Sequence, residues 1–561
     1  MKNKLLCLAL VVCMLLTCLT VTGFSAAAAD EELLSEVAAS ADYGLASRIE
    51  DGNILHCFNW TLNQIKEELP NIAKAGFTSV QTSPLQKHDG NSAWYWLYQP
   101  TGFTLGNEIG SLNDLKSLCS EADKYGIKVI VDVVANHLAG SKSGTWASSI
   151  ESDMRNSDYF HNEGACTDNN NRYDLTHKNI GMPDLKSENT TVQNKVISYV
   201  NTLKNAGVDG IRWDAAKHIS LPSESCSFWS RVTDNGLYNY GEILDRPAGN
   251  SAAAINVALM QEYVEYLGVT DEPFSGMITG AVRDKKVIKS NGNWLREGIP
   301  AEKLVLWGES HDTFSNTDGW TKNLTQNQID RAYAVVGARA GSQALYLSRP
   351  SSNNFYSIYA ARKGSTHYTS KEVAAVNRFH NAMIGSAEKT GSGGGCFVIW
   401  RGGGAVIVSP AGSDIDVTVG NSGGMVPEGT YKDEVSGSTW TVTSTSISGH
   451  IGSSGIVVIY KELTPVTPTT APTTAPATQC ETIRVTEAPY IIGDADADKT
   501  ITILDATAIQ RHLASILALK GTALSAADAD RDKSVTILDA TLIQRFLAGM
   551  AEDSDVSKPA G

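Results

Sequence analysis

The sequence predicts a multidomain protein: a β/α eightfold (TIM) barrel with an inserted subdomain, an antiparallel β-sandwich, and a small α-helical domain built on an acidic repeat. Three observations predict it. From Asn53 to about Tyr346, short apolar runs alternate with helical patterns, the mark of parallel strands joined by crossover helices. After about Gly391 the runs become brief and are separated by Gly and Ser, as in a sandwich. Near the C-terminus an aspartate-rich stretch occurs twice, 34 residues apart. A chain of 561 residues also exceeds what one core serves.

Residues 1–29 read as a secretory signal, hence an extracellular protein. Lys2 and Lys4 precede an apolar stretch from Leu5 to Val21, and Ala26 to Ala29 supply small residues for cleavage. Removing Cys7, Cys13 and Cys18 leaves six of the nine cysteines, scattered singly and without zinc spacing. Cys57 and Cys119 read as free buried thiols, and Cys480 lies just beyond the Pro/Thr run 464–479. No membrane span remains after the signal.

The barrel is assigned to residues 42–390. ILHCFNW, FTSVQTSP, IKVIVDVVANH, VDGIRWD, LYNYGEIL, LVLWGESHD and QALYLSR read as strands ending in polar residues, with a sixth-position strand near SGMITGAV. Asp214 and Glu242 are 28 residues apart, the length of one βα unit. Asp132 and Asp214 are 82 apart, so the loop after the third strand carries an insertion, about 138–185. Residues 391–462 follow as the sandwich, with CFVIWR, AVIVSP, IDVTV, STWTVTS and GIVVIY as strands. Residues 463–488 form a Pro/Thr linker, and 489–552 hold the repeat.

A formal net charge of -15 without a basic cluster excludes a nucleic-acid partner and suits a neutral polymer. Asp214, Glu242 and Asp312 each stand just past an apolar run, where a β/α barrel keeps its chemistry. A retaining glycosidase needs a nucleophilic carboxylate and a second carboxyl that donates and then accepts a proton. Asp214 suits the nucleophile because Arg212, two residues earlier on the strand, keeps it ionised. Glu242, in a more apolar run, suits the raised acid/base. Asp312, after His311, suits binding of the sugar hydroxyls.

These residues resemble the α-amylase family of glycoside hydrolases, in particular its secreted Bacillus subtilis-type members. DVVANH at 132–137, GIRWDAAKH at 210–218, the Glu of YGEIL at 240–244 and ESHD at 309–312 are similar to the four family signatures, in order. The resemblance implies a starch-type α-1,4-glucan substrate, with Asp214 as nucleophile, Glu242 as acid/base and Asp312 as transition-state stabiliser. It implies sugar contacts from His137, Arg212 and His311, with Lys217 and His218 on the leaving-group side. WYWLYQP, carrying Tyr95, Tyr98 and Gln99, is similar to the family's aromatic wall. It further implies one Ca2+ between barrel and insertion, held by Asn136, Asp184 and the backbones of Thr176 and His218. Ser310 stands where chloride-dependent relatives carry Asn.

The C-terminal repeat places Asp494, Asp496, Asp498, Thr500 and Asp505 at positions 1, 3, 5, 7 and 12 of an EF-hand-like loop. Asp528, Asp530, Asp532, Ser534 and Asp539 repeat the pattern, predicting two further Ca2+ sites. Lys499 and Lys533 replace the usual Gly at position 6. Each loop leads into an amphipathic helix, with Ile509 and Leu513, or Ile543 and Leu547, on one face. The unit resembles a type I dockerin, which implies a cohesin partner on a scaffold protein and surface attachment through that scaffold. Two other readings of the chain are an α-glucan transglycosylase and a non-catalytic amylase-like glucan-binding protein.

Overall fold

The computed structural model describes residues 43–141, 144–244, 257–288, 295, 298–461, 490–495, 499–513, 519, 521–531, 533–547 and 556–560. The signal segment, the Pro/Thr linker and Cys480 lie outside the described residues. Two compact units divide at 465/466.

In the first unit, eight parallel strands close in sequence order: β1 (Ile54–His56), β2 (Ser79–Thr82), β3 (Lys128–Val134), β4 (Gly210–Asp214), β5 (Tyr238–Gly241), β6 (Gly268–Thr270), β7 (Leu304–Trp307) and β8 (Gln343–Leu347). Ile54, Ile130, Tyr240, Val305 and Leu345 pack together inside the barrel. Because side chains alternate along a strand, the same inward parity brings His56, Asp132 and Arg212 to the layer above and Asp214 to the one beyond it. The closed sheet therefore delivers its polar residues to the carboxyl-terminal rim.

Helix starts are set locally. Thr61 with Gln64 and Ser111 with Asp114 form capping boxes for the helices Leu62–Lys74 and Leu112–Lys124. Their buried Leu and Ile residues recur at helical spacing against the barrel. One assignment changes: SGMITGAV is not a strand but lies within the helix Glu272–Arg283, and β6 precedes it. Asp271 caps that helix through the Phe274 amide, Pro273 is at its start, and Phe274, Ile278, Ala281 and Val282 face inward.

The insertion after β3 has a small core of Leu138, Ile150, Met154, Phe160, Leu185 and Val192. Arg172 fastens it to the loop after β4, pairing with both oxygens of Glu224 at 2.7 and 2.8 Å. The sandwich packs two four-stranded antiparallel sheets. One holds β9 (Glu388–Gly393), β10 (Cys396–Arg401), β11 (Gly404–Val408) and β16 (Ile456–Tyr460); the other holds β12 (Ile415–Gly420), β13 (Gly429–Lys432), β14 (Thr439–Val442) and β15 (Ser446–Ile451). Arg339, 1 % exposed, ties barrel to sandwich through Glu388 at 2.9 Å.

In the second unit, the helices Ile503–Leu513 and Ile537–Leu547 pack on each other around Ala506, Ile509, Ala540 and Ile543. Leu513 and Leu547, assigned to the buried faces, are instead 42 and 43 % exposed. The buried stripe runs i, i+3 through the central turns, from Ala506 to Ile509 and from Ala540 to Ile543. Among the described residues Cys57, Cys119, Cys226 and Cys396 are buried free thiols, and no helix is long and apolar enough to cross a membrane.

Candidate active site

Arg212 organises the floor of the cleft. Its Nη1 donates to Asp132 Oδ1 and Asp214 Oδ1, each at 2.8 Å, and its Nη2 lies 3.0 Å from Glu242 Oε2. Asp132 stands opposite Arg212 in the β3–β4 register and also accepts the Tyr98 hydroxyl at 3.1 Å. Ala215, directly after β4, adopts a left-handed backbone, φ 50°, unusual for a residue with a Cβ. There its N–H donates to Glu242 Oε2 at 3.0 Å. Asp312 lies in the first turn of the helix His311–Ser315, capped by Ser310, and accepts from Asn316 Nδ2 at 3.0 Å.

Three carboxyl groups, those of Asp132, Asp214 and Glu242, thus gather on one fixed cation, and Asp312 joins them through Glu242. Burial disfavours their ionised forms, and mutual repulsion adds to it. Asp132 is pushed up to about 7 and Asp214 is raised, both by burial and against the pull of Arg212. Asp312 rises well above the usual range, through burial and then Glu242. For Glu242 burial also acts upward, but Arg212 and the Ala215 amide outweigh it and the carboxyl is held low. This corrects the expectation of a raised Glu242 in apolar surroundings: the guanidinium that steadies Asp214 reaches Glu242 too. Glu242 and Asp312 are hydrogen-bonded to each other, so this pair shares a proton, which the opposed shifts of the two carboxyls draw toward Asp312. His56, His137 and His311 are all lowered by burial and stay neutral.

Above this floor opens a cleft of about 530 Å³. Asp214, Glu242 and Asp312 line it together with Tyr95, Tyr98, Gln99, His137, Lys217, His218 and His311. Arg212 sits beneath, behind the carboxylates it holds. The Tyr98 ring lies parallel to His311 with centroids 5.3 Å apart, and Tyr95 stacks on Phe355 at 4.9 Å. Lys217 is drawn to the Leu244 carbonyl at 3.0 Å, His137 Nε2 to that of Tyr98 at 3.0 Å, and His218 Nδ1 to that of Leu175 at 3.0 Å. Sequence reasoning missed Asp132, His56, Trp94 and Phe355 as site residues. Asp132 did carry a signal, being a lone acid inside the apolar run of β3; Phe355 carried none.

Of the expected calcium ligands, Asn136 and Asp184 touch one another, and Thr176 and His218 lie on neighbouring segments. Asp184 is buried, and its Oδ1 has no hydrogen-bond partner, which fits a hard cation. Its carboxyl is raised by burial to about 7. Asn136 bonds Asp184 through its side chain, and Thr176 follows Leu175, whose carbonyl meets His218. In the second unit Asp494 Oδ1 and Asp528 Oδ1 are buried and unpartnered. Asp528, Asp530 and Asp539 place carboxylate oxygens within 4.8 Å of one another. Asp505 accepts the Thr502 amide at 2.8 Å and Asp539 that of Thr536 at 2.7 Å, closing each loop onto its helix. Thr500 and Ser534 lie in these loops. Asp496, Asp498 and Asp532 lie outside the described residues.

Comparison with known proteins is consistent with both units. Residues 50–240 match the α-amylase catalytic domain family and residues 492–548 the type I dockerin domain family. An α-amylase of Clostridium acetobutylicum is 34 % identical over 439 residues, covering 74 % of this chain and 55 % of that protein. An α-amylase of Butyrivibrio fibrisolvens is 29 % identical over 494 residues, covering 76 and 49 %. The chain thus spans about half the length of these relatives. Among solved structures, a mutant α-amylase I of Eisenia fetida in complex with maltohexaose shares the fold with TM-score 0.60 at 20 % identity, covering 74 % of this chain and 97 % of that one. The chain therefore carries a catalytic domain of the α-amylase family of glycoside hydrolases and, at its C-terminal end, a type I dockerin domain.

Proposed function

We propose that the protein is a secreted, retaining, endo-acting α-amylase that hydrolyses internal α-1,4 bonds of starch and related α-glucans, and that its dockerin docks it to a cohesin-bearing scaffold. The observation that carries the catalytic reading is the convergence of Asp214 and Glu242 on Arg212, with Asp312 bonded to Glu242, at the base of an aromatic-walled cleft. A pyranose has an apolar face suited to the Tyr95 and Tyr98 rings and a polar rim suited to Gln99 and the histidines.

The chemistry follows from the proton inventory. Sugar hydroxyls donating to Asp312 favour its ionised form, which passes the shared proton to Glu242. Glu242 delivers it to the leaving glycosidic oxygen while Asp214 bonds to the anomeric carbon. Asp312, now anionic, stabilises the oxocarbenium-like charge. In the second half Glu242 takes a proton from water as that water attacks the anomeric carbon, releasing Asp214. Calcium held by Asn136, Asp184 and the backbones of Thr176 and His218 would clamp the insertion against the barrel rim. Two more ions would order the dockerin loops, and Ile537 and Leu538, 54 and 63 % exposed, offer an apolar docking surface.

Starch digestion by the purified chain tests the reading. Early release of mixed-length oligosaccharides with new reducing ends is expected. Absence of new reducing ends would overturn hydrolysis, and products longer than the donor would favour transglycosylation. A pull-down with cohesin, lost on calcium chelation, tests the docking half.

A further inference from the structure

The inserted subdomain holds a cluster of ligating groups that catalysis leaves unused. His161, His177 and Glu188 place one ligand atom each within 4.8 Å of the other two. They come from three separate pieces of chain. His161 follows the Phe160–Leu185 bridge, His177 ends the helix Arg172–His177, and Glu188 precedes Asn189, the cap of the helix Thr190–Lys204.

Both imidazoles are held through Nδ1, His161 by Asp184 and His177 by Thr176. His161 Nδ1 lies 2.6 Å from Asp184 Oδ2 and must carry hydrogen there, while its Nε2 faces Glu188 Oε2 at 3.0 Å. Thr176 Oγ1 lies 3.0 Å from the Arg172 carbonyl and 3.4 Å from that of Tyr173. It also lies 2.9 Å from His177 Nδ1, which holds that ring by its Nδ1 edge. Carboxylate-oriented imidazole is the usual support of a metal-bound histidine. Ligands about 2.1 Å from one ion lie within about 4.2 Å of each other, so small side-chain rotations would close the shell.

We propose that His161, His177 and Glu188 form a site for a borderline divalent transition-metal ion of the Zn2+ class, with Asp184 orienting His161. Two imidazoles and one carboxylate suit such an ion and not calcium. The His161 side chain is 2 % exposed and that of Glu188 32 %, which leaves the open side of the site to a water ligand. The competing arrangement, an imidazolium held between Asp184 and Glu188, has no use for His177. That residue is accordingly the discriminating one.

The test uses the full chain saturated with Ca2+ and titrated with Zn2+ by calorimetry, with Co2+ as a spectroscopic probe. Wild type is expected to bind one equivalent of Zn2+ that His177→Ala binds at least thirtyfold more weakly. Visible Co2+ bands of four-coordinate intensity should vanish in the same variant. Glu188→Gln should weaken Zn2+ likewise, and both variants should keep the wild-type melting temperature in zinc-free buffer. Equal Zn2+ affinity and stoichiometry in wild type and His177→Ala, or no Zn2+ bound by wild type at submillimolar concentration, would overturn the site.

Discussion

Arg212 holds Glu242 as closely as it holds Asp214: Nη2 lies 3.0 Å from Glu242 Oε2 and Nη1 2.8 Å from Asp214 Oδ1. One planar fork spans nucleophile and acid/base, and its Nη1 also reaches Asp132. A lysine offers a point charge and cannot meet that geometry.

Arg212→Lys is therefore expected to lower kcat/KM on starch by about a thousandfold, an effect of about 4 kcal/mol. Crowded carboxylates left without the fork should also cost about 3 kcal/mol of stability, read as a lower urea midpoint. A variant within tenfold of wild type would show that the fork is dispensable.

Asp214→Asn separates chemistry from binding. The amide keeps the shape of the nucleophile but cannot form the glycosyl ester, so kcat should fall by at least about ten thousandfold. Affinity for maltooligosaccharide, set mainly by the aromatic wall, should change by less than about threefold. Retained turnover would place the nucleophile elsewhere.

The three acids were legible because each follows an apolar run; their protonation was not. Asp132 and Arg212 are 80 residues apart and meet only through the β3–β4 register, which no local pattern reveals. SGMITGAV is a short apolar run that reads equally as strand or helix, although the cap at Asp271 and the spacing of Phe274, Ile278 and Val282 are helical. Strands β9, β13 and β15 escaped notice because EKTGSG, GTYK and SISGHI contain no apolar run. Paired edge to edge, these segments draw their stability from neighbouring strands.

Buried neutral histidines predict acid sensitivity. Burial lowers His56 well below its ordinary value and His311 to about 3. A histidine with a depressed folded pKa contributes full stability above its unfolded value. It loses that contribution as pH falls from about 6.5 toward the folded value. Each should therefore cost about 2 kcal/mol between pH 6.5 and 5. His56→Phe should reduce the proton uptake on unfolding in this window by one, whatever its baseline stability. Urea unfolding across a pH series measures this, and an unchanged slope would mean that His56 is not the group involved.

Glu388 seals the barrel to the sandwich. It accepts from Arg339 Nε at 3.1 Å and Nη2 at 2.9 Å, and Arg339 is buried. Removing one partner of such a pair strands the other charge in a poor dielectric. Glu388→Ala should cost about 3 to 5 kcal/mol while leaving kcat at moderate temperature unchanged, because no cleft residue touches the pair. Thermal inactivation at a series of temperatures would reveal the loss; an unshifted profile would show the seam to be redundant.

Lys499 and Lys533 stand at position 6 of the two calcium loops with φ 74° each, a conformation that costs a side-chain-bearing residue about 1 kcal/mol and glycine almost nothing. Their backbone amides donate to Asp494 Oδ2 at 3.1 Å and Asp528 Oδ2 at 3.0 Å, so the bond to position 1 survives loss of the side chain. Lys499→Gly and Lys533→Gly should each relieve strain in the metal-bound loop and remove a cation beside the ion. Calcium affinity is then expected to rise by about fivefold per loop, measured by chelator competition on the full chain. Weaker binding in either variant would mean that the lysine side chain, not the left-handed turn, sets the loop's affinity.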